Sequence, residues 1–551
     1  MKSVQLNQSS HPTRLLNSTL YLLLTSITLT IFFIVGYRTW SVDFQGTRAT
    51  SLMLHSRKGL TDREKRQIEM EKRRIPFYVY DFEETNWYAS CQRTYPWMDY
   101  SLPENLEKQW YYHSDDFIFI QRILNHPWRT YNPNKAQVFI LPTLFSFYSA
   151  FGNHASGDPI NEAQQNLKYG CPWNLENLLC SGKSFDQMMT DTTNYLKNSA
   201  IFHKYGQVSR PENYRTHFIC ASHFFVNQKN TQKIMFAKHS YFLNEILPNF
   251  SFGTFESVIR SRYGAYNLDA IKRIMSNSLS GVVAEKPSWR CSVFVPYIEA
   301  KWTLGSHAQI DSELQGPDAF ELWKKREYDF FFVGRMQFKE SYKTRRLVSD
   351  SAPLAHNLMK QIGKELTYFI TESFSPTIQY NKLIGNNPLL AGGNQRVYPE
   401  CDAKNCLQEK RCSSCQLTRD LQKHHNSIAS RSKFLLIIHG DTSTTSRLYD
   451  AIFNGVIPVI ISPTLYQDGL PFQSRIPWRD ITFNIPLSSL SDLVDEEVLA
   501  MNLFNIVNYP EYILEHKFRQ MVKIRKEVSW IHPESRIIEN ILGDAKGQCV
   551  M

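Results

Sequence analysis

SRSKFLLIIHGDTSTTSRLYDAIFNGVIPVIIS, Ser430 to Ser462, decides the fold class. Phe434 to Ile438 is a short apolar run with the length and bounding residues of a buried strand, and the Gly-Asp-Thr-Ser-Thr-Thr loop behind it offers turn and N-cap chemistry. A helix is expected from about Ser446, with an apolar face at Leu448, Ala451 and Ile452 and with Gly455 placed to end it. Val456 to Ile461 then reads as a second buried strand. Strand, hydroxyl-rich loop, helix and strand within about 30 residues make a βαβ unit. The free N–H groups at the start of its helix form an anion site, and Arg447 in the first turn adds a forked, permanently charged donor. The ligand this chemistry fits is a phosphate or diphosphate. Many βαβ units bind nothing, and a hydroxyl-rich loop is often only a cap, so the pattern alone leaves both readings open.

The same stretch, with Leu470-Pro471-Phe472 and Trp478 after it, resembles the C-terminal signature of the exostosin family, glycosyltransferase family 47. Tyr328 to Gly334 (YDFFFVG), followed by Thr344-Arg345-Arg346-Leu347, resembles that family's earlier strand, glycine and arginine pair. Ile75 to Phe82 (IPFYVYDF) and His126 to Leu144 (HPWRTYNPNKAQVFILPTL) resemble its N-terminal strand and its "T-x-dP-x-x-A-x-x-F-x-x-P" element. The resemblance runs in order over roughly residues 75 to 530.

With 551 residues, 42% hydrophobic and 13% aromatic, the chain can bury large cores and form more than one lobe. Its net charge of +10, from 62 basic and 52 acidic residues, suits sugar nucleotides, acidic glycans or a membrane surface. No basic run interleaved with aromatics forms a nucleic-acid module, so no nucleic acid is expected as a partner.

Apolar runs at 75–82, 137–145, 216–225 and 289–298, alternating with helical segments, predict one α/β lobe with a largely parallel sheet. Runs at 328–334, 365–373, 433–440 and 456–462 predict a second. The expected fold is α/β: two Rossmann-like lobes facing across a cleft, the GT-B arrangement that the resemblance also implies, behind an N-terminal transmembrane helix. The expected organisation is a cytosolic tail at 1–14, a membrane anchor at 15–37, a stem at 38–74, an acceptor-side lobe at 75–310, a nucleotide-sugar lobe at 311–535 with a Cys-rich insertion at 385–425, and a C-terminal tail at 536–551.

Leu15 to Tyr37 carries no charged residue and is long enough to cross a bilayer, with Arg14 and Arg38 bracketing it. A cleaved signal peptide is the competing reading, but Arg38-Thr39-Trp40 offers no small-x-small cleavage site. Basic residues flank both ends, so type II topology, a Golgi or ER membrane and a lumenal catalytic part are what the resemblance implies. Cys401, Cys406, Cys412 and Cys415 read as a disulfide-pinned loop or, alternatively, a zinc site, and Cys171 with Cys180 as a small closed loop. Asn249-Phe250-Ser251 is the one glycosylation sequon after the span.

Sugar transfer from a nucleoside diphosphate needs neutralisation of the departing diphosphate, a grip on the nucleoside and a base for the acceptor hydroxyl. The chain has no Asp-x-Asp, so no metal site and no cofactor are expected, and arginines and a helix N-terminus supply the neutralising charge. The resemblance implies donor binding by Gly334, Arg335, Arg345, Gly440, Thr444, Thr445, Ser446, Arg447 and Asp450, with Asp450 on the donor's hydroxyls or paired with Arg447. Without it, the arginines read as surface ion-pair residues. Tyr214-Arg215-Thr216-His217-Phe218 resembles the family's "G-R-D-H-F" element but carries Tyr214 for the glycine and Thr216 for the aspartate. His217 is the candidate base or a structural histidine, and Asp115, Asp116, His223 and Glu299 are further candidates. The resemblance implies an inverting transferase that uses a UDP-sugar and a glycan acceptor to build a β-linkage, alone or dimerised with itself or another transferase. The competing class is an inactive relative that binds glycan or stabilises a partner.

Overall fold

The computed structural model describes residues 74–94, 115–146, 180–209, 212–222, 238–255, 291–299, 307–334, 343–372, 424–439, 444–462, 465–486 and 495–548. The expected tail, membrane span and stem up to residue 73, and also His223, Arg335, Gly440, Cys171 and the four clustered cysteines, lie outside these residues. Among the described residues no helix is long and apolar enough to cross a membrane. The chain divides into Met1–Arg74 and Ile75–Met551, and all that follows concerns the second unit.

Its first half builds a sheet from β1 (Phe77–Val79), β2 (Val138–Ile140), β3 (Thr216–Cys220), β4 (Phe250–Thr254) and β5 (Cys291–Phe294). All are parallel and lie side by side in chain order. A parallel sheet covered on both faces demands unbroken apolar strands, and β1 to β4 are buried at every position. Helices α1 (Trp87–Thr94), α2 (Asp115–Leu124) and α3 (Phe185–Asn198) belong to this half. Ser184 begins α3 with a capping box closed by Gln187.

The second half contains α4 (His307–Gln315), β6 (Tyr328–Gly334), α5 (Lys343–Gln361), β7 (Tyr368–Glu372), β8 (Ser432–Ile438), α6 (Arg447–Phe453), β9 (Ile457–Ile461), β10 (Phe483–Asn484), α7 (Asp495–Val507) and α8 (Glu511–Val528). Its five parallel strands run in the order β10-β9-β8-β6-β7. The chain moves outward from β6 to β7 and then returns to the other side of β6 with β8. Strand order therefore reverses between β6 and β8, the position at which open α/β sheets generally bind ligands beyond the strands' carboxyl ends. The first sheet, whose order is sequential, has no such reversal.

The segment 536–551, expected as a tail, holds α9 (Ile537–Gln548), which packs on β2, β3, β5 and α2 of the first sheet. Ile537, Ile538, Ile541, Leu542 and Ala545 are buried there. Their spacing gives one apolar face that the first half covers. The crossing from α8 to α9 is clamped by Glu299, which accepts from Ser529 Oγ, from Trp530 N at 3.0 Å and from Ile531 N at 3.0 Å. Trp530 Nε1 donates to Pro296 O at 2.8 Å, and Arg122 of α2 donates to Trp530 O.

Cys180 pairs with Cys91 across 89 residues and not with Cys171, because the fold brings α1 beside the turn at residues 180–183. Cys291 is also disulfide-bonded. The sequon residue Asn249 is committed to the fold: its amide nitrogen donates to Glu245 O at 2.7 Å, its amide oxygen accepts from Val208 N at 3.0 Å, and Ser251 is buried.

Candidate functional site

At the β6/β8 reversal the last residue of β6 is Gly334. A Cβ there would stand 2.4 Å from a Phe332 ring atom and 3.2 Å from Arg447 Nη1. Glycine at this position lets the Arg447 guanidinium lie directly over the strand end. Two guanidiniums converge on the Phe332 ring, that of Arg447 at 5.2 Å from its centroid and that of Arg345 at 5.9 Å. Arg345, in the first turn of α5, is buried, and its Nε donates to His439 O at 3.0 Å at the end of β8. Gly334, Arg345 and Arg447 thus meet at one strand end, with a ring beneath them that favours cations.

Two histidines that were not expected belong to the same place. His439 is buried, with Nδ1 directed at Ile461 O at 3.5 Å. Burial, reinforced by the Arg345 charge, pushes its pKa down to about 4. Burial, reinforced by the charges of His424 and Arg447, does the same to His425, also to about 4. The imidazoles are neutral, so the positive charge of the site resides on the arginines. His439 stands inside the opening stretch, directly after the apolar run. Its place at a strand's carboxyl end was the available signal.

Thr444, Thr445 and Ser446 lead into α6, whose first turn departs from the expected anion site. Its N–H groups are taken within the turn: Arg447 N by Thr445 Oγ1 at 3.4 Å, Leu448 N by Thr445 O at 3.3 Å and Tyr449 N by Ser446 O at 2.9 Å. Ser446 already has helical angles, so the turn closes on itself and leaves these donors no outward role. Thr444 is buried against Gly469, where a Cβ would meet its methyl at 2.4 Å. Asp450 is buried on α6, one turn beyond Arg447. Beside it, Tyr449 lies 6.4 Å from the ring of Tyr297, which follows β5, so the carboxyl edge of the first sheet comes up against the helix that carries Arg447.

The candidate bases separate by location. His217 lies near the amino end of β3 and is fully buried, stacked on Phe139 at 4.9 Å. Its Nδ1 donates to Arg215 O at 2.8 Å and its Nε2 accepts from Tyr80 Oη at 2.8 Å, which assigns the neutral Nδ1–H tautomer. Burial holds its pKa at about 4. With both nitrogens bonded and the ring fully buried, His217 is held in this structure as part of the core. Thr216 sits beside it at the same amino end of β3. Glu299 is consumed by its clamp on residues 529–531. Asp116 Oδ1 accepts from Phe117 N at 3.0 Å. Asp115 is fully buried at the start of α2, and His223 lies outside the described residues.

Residues 324–497 match the family model of the Exostosin GT47 domain, a span that contains the whole second sheet and every described donor-side residue. No curated protein matches the chain. Residues 324–497 are thus similar to an exostosin GT47 domain, and that family indicates a glycosyltransferase.

Proposed function

From the exostosin GT47 domain formed by residues 324–497, we propose that this chain is an inverting glycosyltransferase that moves a sugar from a UDP-sugar to a glycan acceptor with formation of a β-linkage. The observation that carries the reading is the convergence of Arg345 and Arg447 on Phe332 and Gly334 at the strand-order reversal. Two guanidiniums that share one ring repel each other, and a diphosphate between them turns that repulsion into two charge-assisted contacts. As the bond between the anomeric carbon and the diphosphate oxygen breaks, the negative charge that develops on the leaving group meets fixed positive charge. Gly334 gives the ligand close approach, Thr444 to Ser446 line the entrance to α6, and Asp450 takes donor hydroxyls. Arg335 and Gly440 extend the same two loops. Leaving-group stabilisation by arginine makes the reaction independent of added metal.

The catalytic part is placed in the lumen of the Golgi or ER, behind a single type II span at 15–37. The Cys91–Cys180 disulfide supports an oxidising compartment, and the uncharged run supports the anchor. Dimerisation with a second transferase is a further part of this reading.

The test is a panel of radiolabelled UDP-sugars offered with mixed oligosaccharide acceptors to the purified full-length chain, with and without chelator. Transfer from one donor, undiminished by chelation, is expected. Loss on chelation with rescue by manganese would replace the arginine mechanism, and no transfer from any donor would leave a non-catalytic glycan-binding protein.

A further inference from the structure

The helix that carries Arg447 is held at its far end by two guanidiniums, and one of them belongs to a network that reaches the first half. Arg326 donates to Asn454 O at 3.4 Å and to Gly455 O at 2.8 Å. Arg525 of α8 donates from Nε to Phe453 O at 2.9 Å, so three consecutive carbonyls at the close of α6 accept from arginine. Arg525 is almost fully buried, with its guanidinium 5.0 Å from the centre of the Phe453 ring. Its Nη1 pairs with Asp311 Oδ1 of α4, while its Nη2 is buried with no hydrogen-bond partner. Burial lowers the Arg525 pKa, and the Asp311 carboxylate opposes that shift. Asp311 is shared with a histidine. His532 Nδ1 accepts from Glu534 N at 3.0 Å, which leaves Nε2 to donate to Asp311 Oδ2 at 3.1 Å. His532 belongs to the crossing from α8 to α9, where Arg122 of α2 donates to Trp530 O and, at 3.4 Å, to His532 O. A continuous set of bonds therefore runs from α2 through the crossing, Asp311 and Arg525 to the end of α6.

Such a network is a poor source of stability. A buried ion pair loses to desolvation most of what its attraction gains, and an idle buried donor adds a cost. What it can supply is a single defined arrangement. Ending the helix needs less, because Gly455 at φ +70° already does so. α6 has seven residues, a length of about 10 Å at 1.5 Å per residue, so whatever fixes Phe453 also fixes Arg447. We propose that Arg525 is a positioning residue for donor binding, which orients α6, and with it Arg447, against the crossing that joins the two halves. The inference rests on the transferase reading above. Arg525 acts through the helix and not on the donor itself. Its planar fork holds Asp311 with one arm and Phe453 O with the other, a geometry that a lysine ammonium does not reproduce.

The experiment uses the purified full-length chain, with UDP as the calorimetric probe and the UDP-sugar and acceptor panel for rates. Arg525→Lys keeps the charge and loses the fork, whereas Asp311→Asn keeps the shape and removes the charge that holds the fork. Each is expected to weaken UDP binding at least fivefold and to raise KM for the UDP-sugar in step, with kcat less changed. Ile541→Ala, which loosens the first sheet's core, is the stability control and should leave the UDP Kd within twofold. In an Arg447→Ala background, Arg525→Lys should weaken UDP binding less than twofold further, because the side chain it positions is gone. If Arg525→Lys does not fold, Asp311→Asn, on a side chain 24% exposed, decides in the same two backgrounds. A UDP Kd that changes less than fivefold while the melting temperature falls assigns Arg525 to the fold and overturns the proposal. A further loss of twofold or more in the Arg447→Ala background overturns it as well. If the wild type binds no UDP and transfers no sugar, the transferase reading itself fails, and that control tells the two failures apart.

Discussion

His217 shows how burial decides the role of a residue whose chemistry alone would suit two. Protonating it would place a charge among Phe139, Phe202 and Phe250, so its folded pKa of about 4 lies below the ordinary value of 6.5. The unfolded chain therefore binds the proton first as pH falls. Stability from this group is complete above pH 6.5 and is lost between 6.5 and 4, by up to about 1.4 kcal/mol per pH unit. His439 has the same sign and the same window. Denaturant unfolding from about pH 7.5 to 4.5 should show this slope, and His217→Phe should flatten it by about 1 kcal/mol per unit. An unchanged slope would mean that His217 is protonated in the folded chain. Arg447 makes the opposite case, a residue defined by what it faces. Arg447→Ala should weaken UDP binding by about 1.5–3 kcal/mol, tenfold or more by calorimetry, while the melting temperature holds. Unchanged affinity would remove Arg447 from the site. Gly334 and Arg447 could be picked out from the strand end and the helix start they occupy, whereas Arg345 was named only through the family resemblance. His425 was not named, because nothing in its local pattern shows that the fold swings it beside Arg447. Asp115 could be named but not ranked, since its burial is a property of packing.

Among the elements, α6 depends on how it ends more than on how it begins. Gly455 has φ +70°, and a Cβ there would lie 2.3 Å from Leu314 Cδ2. Arg326 closes the same end by donating from Nη1 to Gly455 O at 2.8 Å and to Ser432 O at 2.9 Å. A left-handed side chain costs about 1–2 kcal/mol, and crowding against Leu314 adds about 1–3. Gly455→Ala is therefore expected to lower stability by roughly 2–5 kcal/mol in chemical denaturation. A loss below about 0.5 kcal/mol would show that the turn relaxes freely. The glycine was readable from position alone, because a helix between two strands so close in sequence must stop sharply. β4 was not read as a strand: its Phe-Ser-Phe-Gly-Thr run carries a glycine and two hydroxyls and looks like a loop until it pairs with β3 and β5. β10, two residues long, carries no periodic signal. The first turn of α6 shows the converse: its hydroxyl-rich entry reads as an anion cradle, yet three local bonds satisfy it from within.

At the scale of the whole molecule, the two parallel sheets were visible as two series of apolar runs, because a strand buried on both faces must be apolar throughout. The way the halves are tied together was not, since it depends on contacts between residues more than 200 apart, such as Glu299 with residues 529–531. The chain leaves the second sheet through α8, passes the Glu299 clamp and ends as α9 on the first sheet, so the C-terminus completes a core that the N-terminal half begins. Removing residues 537–551 should therefore damage the half that is distant in sequence. Four large aliphatic side chains, Ile537, Ile538, Ile541 and Leu542, would be withdrawn from the first sheet's core. At about 1.5–3 kcal/mol each, their loss is on the order of 6–12 kcal/mol, comparable with the total stability of a typical domain. Limited proteolysis of the truncated chain is expected to cut first between residues 75 and 299, with residues 324–497 surviving longer. Cleavage that began instead in 324–497, or a truncated chain as resistant as the full one, would mean that α9 is not part of the first half's core.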